Sequence, residues 1–205
     1  MFIELAELLR CPAHVEETYC VLSFQEGAGR SVTRGIIGCP VCKAEYPIDN
    51  GTVKFGVDPL LGSDSRSDDL TLEEMPDPEI VQALLSLHGA GGYVVLVGSA
   101  TRLSDRLAEL APGIQHIGVN PPPEVVESST MSLLQAAAEI PLRSSVARGA
   151  VIGREYAVEP WLTEAVRVLA DQMRLLVADE GVVTAGVKRL AAERGIWVAV
   201  KTGLP

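Results

Sequence analysis

Four side chains in two short pairs, Cys11 and His14 of Cys11-Pro-Ala-His14 and Cys39 and Cys42 of Cys39-Pro-Val-Cys42, have the types and spacing to hold a metal ion. Three thiolates and one imidazole form a ligand set that zinc accepts in tetrahedral geometry. With all four positions taken by protein, none is left for water or substrate, so such a metal is structural. The expected ligands are therefore Cys11, His14, Cys39 and Cys42. The competing reading makes His14 a surface residue and the three cysteines small apolar side chains. Cys20, inside an alternating stretch, reads as a buried apolar residue and not as a fifth ligand.

The segments around the knuckles must bring them together. Tyr19 to Phe24 reads as a strand, Glu26 to Arg30 as a turn, and Ser31 to Ile37 as the returning strand. Ala44 to Ile48 and Thr52 to Phe55 read as a second short hairpin, turned by Asp49-Asn50-Gly51, where positive φ is favoured. A β module this small buries too little apolar surface to be stable alone, so the metal is expected to supply much of its folding free energy.

Composition bounds the rest. A chain of 205 residues, 47% hydrophobic, fills one medium-sized core plus a small module. The N-terminal residues lack a basic region followed by an apolar stretch, and the longest apolar run, near Tyr93 to Val97, is too short to span a bilayer. The expectation is a cytoplasmic protein without membrane contact, and four cysteines, three of them in knuckles, fit a reducing compartment. The net charge of −10 argues against a nucleic-acid partner. Most of that charge, −7, falls on residues 58 to 79, leaving the flanking parts close to neutral.

The expected organisation is a β module over 1–56, an acidic Ser/Asp-rich linker over 57–76, and an α/β domain over 77–205. Asp77-Pro78-Glu79 is a helix start, with Ile80, Leu84, Leu85 and Leu87 as the apolar face. Tyr93 to Val97 is a strand buried on both faces, followed by a helix from Arg102 to Ala111 and a strand from Gln115 to Val119. Met131 to Ala137 suits a strand or a helix. Ala150 to Gly153 and Arg174 to Ala178 read as strands, Pro160 to Ala170 and Thr184 to Arg194 as helices, and Trp197 to Lys201 as a closing strand. The alternation predicts a three-layer, Rossmann-like α/β fold with a mostly parallel sheet.

Leu8-Leu-Arg-Cys-Pro12, Cys39 through Ile48 and Gly51-Thr-Val53 resemble the small zinc-ribbon family that activates tRNA and protein methyltransferases, although His14 stands where a cysteine is common. The resemblance implies a zinc ribbon that docks onto a methyltransferase-type protein partner, either another subunit or the chain's own C-terminal domain. From about Asp77 onward the chain is similar to class I S-adenosylmethionine-dependent methyltransferases. The similarity is carried by Val94 to Leu103 at the first strand and its loop, Ile117 to Pro121, Glu139 to Arg143, and Glu164 to Leu169.

That resemblance assigns Gly98, Ser99, Ala100, Thr101 and Asn120 to the cofactor. It also shows departures. The usual acid position at the first strand is Leu96, only Gly98 of the glycine run remains, Ala100 and Arg102 stand where small residues are wanted, and the ribose-binding carboxylate aligns with Asn120. The acid expected near the adenine falls among Ala136, Ala137 and Ala138. Asn120-Pro-Pro-Pro123 reads as a rigid loop, and Gly98 does not fit a nicotinamide fingerprint. His88 and His116 read as structural, and Glu155-Tyr156 as a loop acid and a packed aromatic.

The leading expectation is a non-catalytic zinc-binding interaction or scaffold protein on a degenerate methyltransferase fold. The alternative is an active S-adenosylmethionine-dependent methyltransferase of a small molecule. An rRNA methyltransferase would need a basic face that the charge distribution does not supply.

Overall fold

The computed structural model describes residues 1–14, 16–59 and 75–203. Eleven strands form one continuous sheet: β1 Val21–Ala28, β2 Ser31–Gly38, β3 Glu45–Asp49, β4 Thr52–Lys54, β5 Tyr93–Val97, β6 Gln115–Val119, β7 Met131–Gln135, β8 Ala147–Ile152, β9 Leu169–Val177, β10 Val187–Glu193 and β11 Ile196–Lys201. Their order is β1-β2-β3-β4-β7-β6-β5-β8-β9-β11-β10. Strands β4 through β9 along this order are parallel neighbours, and both flanks are antiparallel. Among the described residues three α-helices, α1 Pro78–Leu85, α2 Ser104–Leu110 and α3 Trp161–Val168, complete the layers.

The two hairpins and the α/β part meet edge to edge. Strand β4 pairs in parallel with β7, Thr52 opposite Leu133 and Val53 opposite Leu134, and the Phe55 N–H continues the ladder to the Gln135 carbonyl at 2.8 Å. A second seam runs through residues 8–10: Leu9 bridges Leu142, the Arg10 N–H donates to Pro141 and the Arg143 N–H to Leu8. Charge reinforces it, since the buried Arg10 guanidinium reaches Glu139 at 2.8 Å and Glu164 at 3.5 Å. Of the docking targets the resemblance implies, the β4 edge meets the chain's own α/β part.

Each face of the sheet carries its own core. Val81, Leu85 and Leu87 around α1 pack with Leu103 and Leu107 on Val94, Leu96, Val151 and Leu176. On the other face Trp161, Leu162 and Ala165 of α3 share one apolar cluster with Val95, Val97, Leu134 and Ile152, and also with Leu5, Leu9, Ile37 and Cys39. The Phe2 N–H donates to Ser132 of β7 on this face. Residues 2–9 therefore help cover the sheet where a longer crossover helix between β7 and β8 is missing.

Several expectations need correction. Thr184 to Arg194 is no helix: Val187–Glu193 is strand β10, antiparallel to β11. Arg194 and Gly195 both have positive φ, 56° and 78°, the requirement of a tight two-residue hairpin turn, so Gly195 turns a hairpin where a helix stop was expected. Helix α1 does start at the Asp77 cap, whose side chain accepts the Glu79 N–H at 3.0 Å, but its buried positions are Val81 and Leu85 while Ile80 is exposed. Strand β1 runs on to Ala28, moving the turn to Gly29 and Arg30. Met131 to Gln135 is a strand. Most of the acidic linker lies outside the described residues. Its first acid, Asp58, is buried and accepts the Tyr156 hydroxyl at 2.7 Å.

Candidate functional site

Two places gather polar groups: the knuckles, and the loops at the carboxyl ends of β5, β6 and β8. At the knuckles, Cys11 closes the chain that covers the sheet and Cys39 follows β2 directly, so the β1–β2 hairpin carries one knuckle to the other. The second is shaped by its backbone. The Cys39 N–H donates to Ala44 at 2.8 Å, the Lys43 N–H to Cys39 at 3.1 Å, and Lys43 takes a left-handed φ of 64° to allow the reversal.

One ligand atom from each of Cys11, His14, Cys39 and Cys42 lies within 4.8 Å of all the others. The Cys11 and Cys42 sulfurs are 3.7 Å apart. A tetrahedron with Zn–S bonds of about 2.3 Å has an edge of about 3.8 Å, so this separation fits zinc. His14 Nε2 is buried without a hydrogen-bond partner, as a ligand nitrogen awaiting a metal must be. All four cysteines are free thiols.

The surroundings separate the thiols. Burial pushes the Cys11 thiol up, while the Tyr46 hydroxyl 3.2 Å from its sulfur favours the thiolate. Burial also opposes ionisation of Cys39, yet backbone hydrogen bonds at Cys42 and Val41, with those from Cys42 and Cys11, bring it down to about 6. Thiolates are the metal-binding form, so the second knuckle is preorganised for a cation. Cys20 is pushed up to about 12, by burial first and then by the neighbouring cysteines, which matches its expected role as a buried apolar residue. These four residues can hold a metal ion, and that ion would tie the knuckles together without an open coordination position.

At the other place, β5 and β8 are neighbours from which the chain proceeds in opposite directions, so their carboxyl ends form a topological switch point. Here lie the residues that the resemblance assigns to a cofactor. Gly98 has a φ of 65°, and a Cβ there would fall 2.2 Å from Glu155 Oε1 and 2.5 Å from the Tyr156 ring. The Glu155 carboxylate accepts hydrogen bonds from the Ser99 N–H and, at 2.9 Å, from the Ser99 hydroxyl. On the opposite wall, a Cβ at Gly153 would meet Ser99 Oγ at 2.4 Å. The crevice is thus filled by a carboxylate and an aromatic ring of the chain itself. Tyr156 is 1% exposed and packs edge-on against Trp161 at 4.9 Å.

The remaining assigned residues are also committed. Asn120 donates to the Ala136 carbonyl at 2.9 Å and accepts the Ala136 N–H at 2.8 Å, using its amide to tie the end of β6 to the end of β7. The Thr101 hydroxyl donates to the Gly98 carbonyl at 2.7 Å, and Ala100 is fully buried. Arg102 turns outward to Glu124 at 2.6 Å. The structure thus brings Gly98, Ser99, Ala100 and Thr101 into one turn, with Asn120 bonded to β7. Glu155 was missed as a partner of this turn because nothing in its local sequence says where its carboxylate goes. His116 is structural: its Nδ1 lies 2.8 Å from the Ser104 hydroxyl, and burial pushes its imidazole down to about 4.

No protein-family model matches the sequence, and no curated protein sequence matches it. Solved structures do resemble the fold. A SAM-dependent methyltransferase from Aquifex aeolicus superposes with a TM-score of 0.51 at 17% identity, over 71% of this chain and 98% of that one. The antibiotic-resistance methyltransferase Kmr gives 0.45 at 15%, over 63% and 94%. A complex of the Haloferax volcanii Trm112 methyltransferase activator with a putative methyltransferase gives 0.38 at 17%, over 47% of this chain and about half, 49%, of that one. At such identities the likeness carries the fold and nothing finer. The chain is therefore structurally similar to class I SAM-dependent methyltransferases, with N-terminal β hairpins and a Cys3His cluster able to bind metal.

Proposed function

We propose that this chain is a non-catalytic interaction or scaffold protein, in which a structural zinc ion held by Cys11, His14, Cys39 and Cys42 fixes a ribbon onto a methyltransferase fold that has given up its cofactor site. The observation that carries the reading is the Glu155 carboxylate on Ser99, together with the Tyr156 ring under Gly98. A cofactor carboxylate would need the donors that Glu155 already uses, and desolvating it without them is costly. The ribose hydroxyls would face Asn120, whose amide is spent on Ala136.

A protein partner is the ligand this surface suits. Tyr19, Val21, Phe24 and Val41 are exposed apolar residues on the ribbon, and β1 is an outer strand of the sheet whose free edge suits strand addition. A net charge of −10 directs the choice away from nucleic acid.

Calorimetric titration of the full chain with S-adenosylmethionine tests the reading. The expected result is no saturable heat. Micromolar binding would overturn it and make the chain an active-site-bearing methyltransferase of a small molecule.

A further inference from the structure

The arginines of this acidic chain fall into two groups. Eight of the described ones, Arg10 and Arg167 among them, lie within ion-pair distance of a carboxylate. Arg148, Arg154, Arg174 and Arg189 have no such partner among the described residues, and of these Arg148 and Arg174 line one groove of about 390 Å³ with Leu85, Ser86, Gln172 and Met173. The groove lies near the start of β8, at the opposite end of the parallel strands from Gly98.

Backbone carbonyls hold both guanidiniums in place. Arg148 donates to Gly91 at 2.5 Å, to His88 at 2.7 Å and to Gly89 at 3.3 Å, and Arg174 donates to Leu84 at 2.6 Å. A guanidinium has five N–H donors, so Arg148 keeps its Nε edge beside Nη2 and Arg174 keeps all but one Nη1 hydrogen. Arg174 also caps the Leu84 carbonyl in the last turn of α1, where a cation suits the helix dipole.

The fold departs from regularity to build this place. The β8–β9 ladder passes from Ala147 opposite Leu169 to Gly149 opposite Arg174, so residues 170–173 of β9 bulge out where β8 supplies only Arg148. Gln172 in that bulge has a φ of 64°, and Ser86 across the groove has a φ of 54°. Two non-glycine residues in left-handed backbone on one rim are a cost that the surrounding fold must hold in place.

We propose that this groove binds a phosphate group, either free phosphate or the head of a small phosphate monoester. Two guanidinium forks match the charge and the tetrahedral oxygens of a phosphate dianion. The Ser86 hydroxyl and Gln172 amide supply neutral donors, while Leu85 and Met173 give an apolar wall on which an ester group can rest.

The test uses the full chain, titrated with inorganic phosphate and with phenyl phosphate at constant ionic strength, with chloride as control. Backbone amide NMR and calorimetry are the readouts. Saturable millimolar binding is expected, with shifts confined to residues 84–91, 148 and 170–174. Tighter binding of phenyl phosphate assigns the site to a monoester, and equal binding of the two assigns it to free phosphate. Arg174→Gln is expected to weaken binding about tenfold, the loss of one charge-assisted pair. Gln172→Ala, at an exposed position, is expected to weaken it roughly threefold and decides the matter should Arg174→Gln fail to fold. No saturable response to either probe, or unchanged affinity in the variants that fold, overturns the proposal.

Discussion

The knuckles and the cofactor loop are both clusters of polar atoms on short turns, and they differ in whether those atoms are already in use. At the knuckles, three thiols and a buried imidazole nitrogen converge with no partner for His14 Nε2. At the loop, the Ser99 N–H and hydroxyl hold Glu155, and the Asn120 amide holds Ala136. Buried polar groups must be satisfied, so the unpartnered His14 Nε2 fits a ligand set for a metal, while the loop's donors are taken up by the chain itself. Residue types already set the two places apart, since the loop departs from the family pattern at Leu96, Ala100, Arg102 and Asn120; the hydrogen bonds add where the loop's polar atoms go.

The largest way to break this comparison is at the metal. Cys39→Ser should remove bound zinc, measured by metal analysis of the purified protein. It should also remove most of the metal's contribution to folding, which reaches about 10 kcal/mol in small zinc modules. A variant that keeps both its circular dichroism and its melting temperature would show that the knuckles are held by packing alone.

The half-buried His14 and the buried His116 sharpen the contrast. His116 also has an unpartnered Nε2, but among the described residues no group of metal-ligating side chains includes it, and its imidazole is pushed down to about 4 by burial against the pull of Asp105. The unfolded chain takes up that proton near pH 6.5, so stability from keeping His116 neutral is complete above that pH. It is lost as pH falls toward 4, by about 3 kcal/mol in all. Urea denaturation from pH 7.5 to 4 should show this slope in the native protein and lack it in His116→Gln.

Asn120→Asp restores the carboxylate that a methyltransferase uses for ribose, yet it should cost about 2 kcal/mol, since the new side chain cannot donate to Ala136 and buries a charge. A stable variant that gains cofactor affinity would place the loop with the open sites. Glu155→Ala should have the smallest effect, roughly 1 kcal/mol from an unpartnered Ser99 N–H, without cofactor binding because Asn120 stays committed. Micromolar binding in this variant would overturn the proposal that the site is lost and point to one that Glu155 inhibits.

What the residues disclose before folding follows the reach of each signal. The knuckle spacing is local, as is the Asp77-Pro78 helix start, and both stand in the structure. The continuous apolar run of β5 was legible for the same reason. The β10 segment was misread because Lys188 to Glu193 has helical composition, and only pairing with β11 through the Arg194-Gly195 turn makes it a strand. Glu155 on Ser99 and Asp58 under Tyr156 join residues 56 and 98 positions apart, so no window of sequence contains either contact.

The parallel seam between β4 and β7 has a consequence for how the chain is made. Val53 meets Leu134 across 81 positions, so when the ribbon leaves the ribosome its last strand has no neighbour on one side until the seventh strand has been synthesised. Closing so long a loop is slow, and an open strand edge is a template for aggregation in the meantime. Early metal capture at the knuckles would keep the nascent hairpins ordered through that interval, so under the proposal of a zinc ion held there, zinc supply during translation would set the yield of folded protein.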